Sequence, residues 1–102
     1  MASSSADLIR ADRSLQLQGQ VTLNTVNRLF ETFKRQWETG VDTLDCRNVN
    51  EADSSAVSFL LACRQFAIHH DQNLYVKGMG DQLTSLARLY GVDTLLNASH
   101  NP

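Results

Sequence analysis

The sequence predicts an α/β fold: a single domain over residues 1–102, with an ordered core of about 7–97, a mixed β-sheet and helices packed mainly on one face. The expected order is β-β-α-β-α-β-α. Three observations carry this. Short segments alternate apolar and polar residues, longer ones repeat apolar residues every three or four positions, and glycines punctuate them while the one proline is the last residue. Alternation persists in every strand, so one sheet face should be apolar and the other wetter. A doubly wound sheet, covered on both faces, would read as unbroken hydrophobic runs.

The elements follow in order. Residues 1–6 and 98–102 are expected to fray. "DLIRAD" and "SLQLQGQV" read as a hairpin turning near Asp12 and Arg13, with Leu15 and Leu17 facing one way and Gln16 and Gln18 the other. Thr22 or Asn24 can cap the helix that comes next. That helix carries Val26, Leu29, Phe30, Phe33 and Trp37 as one apolar stripe, closed by Gly40. "VDTLDC" (41–46) is a short strand, followed by a seven-residue polar turn and the most apolar helix, Ser54–His69. "NLYVKG" (73–78) is a further strand with Leu74 and Val76 on one face. Residues 81–90 form a helix with Leu83, Leu86, Ala87 and Tyr90 on one side, and "VDTLLN" can add a last helical turn.

Composition narrows the function. With 42% hydrophobic and 20% charged residues and a net charge of −2, the chain has the make-up of an ordinary soluble protein. Acids and bases are interspersed, so no basic face for nucleic acid is expected. Cys46 and Cys63 fit neither a CxxC pair nor a metal comb, and buried free thiols are expected. "MASSSAD" lacks a signal peptide's positive start and apolar stretch, and no apolar run approaches the ~20 residues of a membrane helix. The expectation is a cytoplasmic chain that meets a membrane only through a partner.

The segment "LDCRNVNEADSSAVSFLLACRQF" is where chemistry could sit. Helix starts leave free N–H groups that attract acceptors and negative charge. Asp53 as cap, with Ser54 and Ser55 in the first turn, satisfies them, and that alone accounts for the cluster. A functional reading adds exposure. Ser54 would stand at the end of a strand, where α/β sheets usually bind ligands, and its hydroxyl could meet a partner or accept a phosphoryl group. A phosphate there, beside Glu51, Asp53 and Asp45, would repel an acidic partner surface.

Here the sequence resembles a known family. "LDCRNVNEADSSAVSFLL" is similar to the signature of STAS domains, the sulfate-transporter and anti-sigma-factor-antagonist modules: a strand ending Asp-Leu-Ser, a turn, then Asp-Ser/Thr-Ser/Gly-Gly opening an apolar helix. Asp45, Asp53 and Ser54 match its aspartates and hydroxyl position without a gap. "LQLQGQV" resembles the family's "L-x-G-E-L" strand end, and the likeness runs over about residues 8–96. Cys46-Arg47 replace the usual Leu-Ser, and Ala56 stands where the family generally has glycine.

The resemblance implies a binding module and no enzyme. "GMGDQLTSLARLYGVDTLL" is similar to the tail of the MlaB-type branch, the STAS subunit of a lipid-transporting ABC system that maintains outer-membrane asymmetry. The implied partner is the transporter's ATPase, with Ser54 at the contact and Asn50, Glu51, Asp53, Ser55 and Arg64 as its supporting surface. Arg64 and Gln65 mark the solvent side of the Ser54–His69 helix and read more readily as ordinary solvated residues. The other branch comprises the anti-sigma factor antagonists, whose partner is a kinase-like anti-sigma factor that phosphorylates the motif serine. Neither branch implies a cofactor or a metal. His69 and His70 lie where a helix should end, about 100° apart around its axis, which disfavours joint chelation. "DSSAV" is not a nucleophile elbow, and "KGMG" lacks the spacing of a dinucleotide loop.

Overall fold

The structure, a computed structural model, describes residues 6–98. Its elements are β1 (Asp7–Ala11), β2 (Ser14–Val21), α1 (Val26–Gln36), β3 (Thr43–Ala52), α2 (Ser54–His69), β4 (Tyr75–Lys77), α3 (Asp81–Leu89) and α4 (Asp93–Ala98). The sheet has four strands in the order β1-β2-β3-β4. β1 and β2 form an antiparallel hairpin, and β3 and β4 each add in parallel, so the sheet is mixed as the sequence predicts. The hairpin turns at Asp12 and Arg13, with Asp12 at φ 58°. Of the ends expected to fray, 1–5 and 99–102 lie outside the described residues, and Ala98 is the last residue of α4. Ala6, also expected to fray, is fully buried.

One core lies between the apolar sheet face and the helices. Leu8, Leu15, Leu17, Val21, Leu44, Cys46 and Val76 supply the sheet side, and Leu29, Phe33, Phe59, Leu60, Cys63, Leu83 and Ala87 the helix side. The opposite sheet face is wetter, with Gln16, Gln18 and Gln20 half-exposed. Aromatic rings join α1 to α2: Phe33 stands 5.7 Å and Phe30 6.3 Å from the ring of Phe66, both edge to face. Among the described residues no helix is long and apolar enough to cross a membrane.

The largest departure from expectation is β3. The polar stretch after Cys46 is no turn: β3 continues to Ala52, hydrogen-bonded to β2. Its register slips twice, between Gln16 and Gln18 and again between Gly19 and Gln20, each time placing an extra residue on β3. Each bulge reverses the in-out phase of the side chains, so the alternation that marks a strand is erased. Gly19, with φ 86°, lies inside β2 at the second slip, in a conformation few side chains accept.

Three smaller corrections concern helix ends. The cap position of α1 is Thr25, where Thr22 or Asn24 was expected. Its hydroxyl faces inward, donating to Gln20 O at 2.8 Å and accepting from Thr22 N at 3.0 Å. α1 stops at Gln36, leaving Trp37 half-buried at the C-cap. α3 stops at Leu89 because Gly91, at φ 72°, turns the chain away, so Tyr90 is 55% exposed and off the buried side the spacing assigned it.

Candidate functional site

Asp53 leaves the end of β3 in an extended conformation and caps α2. One carboxylate oxygen accepts from Ser55 N at 2.9 Å, and the other accepts from Leu23 N at 3.0 Å. The carboxylate thus meets one of the free amides at the helix start and complements the positive end of its dipole. Ser54, beside it, carries none of the capping. It is exposed in the first turn of α2, while Ser55 is half-buried and Ala56 and Val57 turn into the protein.

A shallow groove of about 270 Å³ opens beside the hydroxyl, lined by Ser54, Val57, Ser58, Leu61, Tyr90 and Val92 among others. A second, of about 240 Å³, runs between α1 and α2 past Asn27, Phe30, Ser55, Ser58 and Ala62. Ser55 and Ser58 line both, so the exposed side of α2 is a low ridge between two grooves. In the sequence Tyr90 reads as a core residue, and nothing there sets Val92 or Leu61 at a site. Tyr90 was hidden by its spacing, and the signal that frees it is the glycine directly after it.

The other sequence-derived site residues divide. Asn50 and Glu51 are exposed and lie on the last, bulged stretch of β3, three and two residues ahead of Asp53. Arg64 is half-buried on α2, ten residues beyond Ser54, which at 1.5 Å per residue is roughly 15 Å along the axis. The structure therefore gathers Asn50, Glu51, Asp53, Ser54 and Ser55 at one end of the helix and sets Arg64 apart.

Asp45, the strand aspartate, is occupied elsewhere. Its carboxylate accepts from the Arg47 backbone N–H at 3.0 Å and pairs with the guanidinium at 2.8–3.1 Å. These hydrogen bonds hold the carboxyl below its ordinary range against the opposing effect of burial. The arginine stem crosses Gly78, where an added Cβ would stand 2.4 Å from Arg47 Cγ. Beyond β4, the open edge of β3 is met by α3, whose Gln82 side chain accepts from Ala52 N at 3.1 Å.

Cys46 and Cys63 are free and buried. Burial, and then the charge of Asp45, pushes the Cys46 thiol up to about 12. Burial also raises Cys63 well above the ordinary range, so both remain protonated and unreactive at neutral pH. His70 caps the far end of α2 with its ring 4.4 Å from Phe66 and 4.8 Å from Trp37, and its Nδ1 lies 2.9 Å from Phe66 O. That histidine closes the aromatic cluster.

Compared with known families, the chain matches the family model described as "Mlab, STAS domain" over residues 5–97. No curated protein matches it.

Proposed function

The chain belongs to the STAS-domain family in its MlaB-like form, and from that premise we propose that it is a non-enzymatic subunit that binds the ATPase of an ABC transporter. Through that ATPase it would support phospholipid transport and outer-membrane lipid asymmetry, working at the cytoplasmic side of the inner membrane. STAS domains act through protein–protein contacts, and what supports this particular contact is the division of labour at the start of α2.

The observation that carries the reading is that Asp53 caps the helix while Ser54 is exposed beside it. The hydroxyl is left to an outside group. The groove next to it, floored by Leu61 and Val57 and edged by Tyr90, suits an apolar side chain of the partner. Asn50 and Glu51 supply a polar rim on the β3 side. Arg64 joins the contact only where the partner follows the helix downward.

The test is the affinity of the chain for a purified ABC-transporter ATPase subunit from the same organism. Ser54→Arg places a long charged side chain over the contact and is expected to weaken binding ~30-fold or more, the loss typical of a central interface residue. Its exposed position leaves the melting temperature nearly unchanged. Unaltered affinity would defeat the proposed surface. Capture of a kinase-like anti-sigma factor instead, with phosphate labelling that Ser54→Ala abolishes, would replace the transporter role by a signalling one.

A further inference from the structure

We infer that Asp53 is a positioning residue with two duties, and that the second is to hold Leu23 beside Ser54 as an apolar contact for the same ATPase. This rests on the proposed function above and extends its surface to a turn 30 residues away in sequence. Leu23 is 73% exposed, among the most exposed large apolar side chains of the described residues.

An exposed leucine on a loose loop would be unremarked, but this turn is fixed from both sides. From within, Thr22 N donates to Thr25 Oγ1 at 3.0 Å, and Thr25 N and Val26 N donate to Thr22 O at 2.9 and 3.0 Å. From without, Leu23 N donates to the second Asp53 oxygen at 3.0 Å. Every one of these bonds holds backbone, and none of them covers the leucine side chain. A contact displayed on an already ordered turn loses little conformational freedom on binding, which raises the affinity obtained from a given area.

The turn is also tied to the proposed docking surface through Asp53. The carboxylate that fixes Leu23 is the same one that caps the helix bearing Ser54, so the two side chains are held in one frame by a single group. A cap alone requires only one acceptor oxygen. Asparagine and serine can also cap, but each brings a single acceptor oxygen, where the carboxylate brings two, one for Ser55 N and one for Leu23 N. The aspartate is what the second duty needs.

That difference supplies the experiment. Asp53→Asn retains the cap through its carbonyl oxygen and presents an NH₂ group to the Leu23 amide. Hydrogen exchange on the full chain is expected to show the Leu23 amide exchanging at least ~10-fold faster while Ser55 keeps its protection. Binding to the purified ATPase subunit should weaken ~10-fold in Asp53→Asn and in Leu23→Ala. The double variant should lose little more than either single one, because both act through one contact. A merely structural role for Asp53 would give additive losses that track the melting temperature. Unchanged exchange at Leu23, or faster exchange with wild-type affinity, would overturn the inference. Loss of binding in Ser54→Arg but not in Leu23→Ala would overturn it while leaving the proposed function standing.

Discussion

Asp45 is 4% exposed, and its charge survives there because Arg47 answers both carboxylate oxygens and the backbone amide of Arg47 adds a further hydrogen bond. With the folded-state pKa depressed below the ordinary 3.8, the stabilisation is fully present above that value and is lost as pH falls through the folded one. Asp45→Asn should therefore melt lower than wild type at neutral pH, and the gap should close below about pH 4. Thermal melts across that range check this, and a gap constant down to acid pH would refute it. At this scale the sequence was legible where the chemistry is local. Asp53 as cap and Ser54 as neighbour follow from adjacency to an apolar run. The tie from Asp53 to Leu23 was not legible, because it joins residues 30 apart and leaves no trace in spacing.

Among the elements, the helices were the easiest to read, since α1, α2 and α3 keep their apolar periodicity to within a residue or so of their ends. β3 was the hardest. Its second half shows polar residues on both faces because two extra residues break the phase, and pairing with β2, which local sequence does not encode, keeps it a strand. This matters for the site, as it makes the approach to Asp53 a hydrogen-bonded strand and fixes where α2 begins. The element is also clamped at Gly78, whose φ of 73° and contact with Arg47 leave no room for a side chain. Gly78→Ala should destabilise the protein by ~1–3 kcal/mol. Denaturant unfolding measures it, and a variant as stable as wild type would show that the clamp is dispensable.

At the scale of the whole molecule, a single apolar layer joins sheet and helices, and Phe33 sits fully buried at the aromatic junction of α1 and α2. Phe33→Ala should cost ~3–5 kcal/mol, a large share of the stability of a domain this size. Calorimetry should find the transition lowered by tens of degrees or gone; a shift of a degree or two would contradict the packing described. That stable frame makes the first turn of α2 a fixed surface, the one proposed to be covered by another protein. The buried, protonated thiols of Cys46 and Cys63 offer a direct way to ask. In a Ser54→Cys variant the thiol at position 54 is the one exposed enough to react with maleimide. Adding the ATPase subunit at saturation should slow that reaction ~10-fold or more. An unchanged rate with the ATPase bound would place the contact elsewhere and contradict the account.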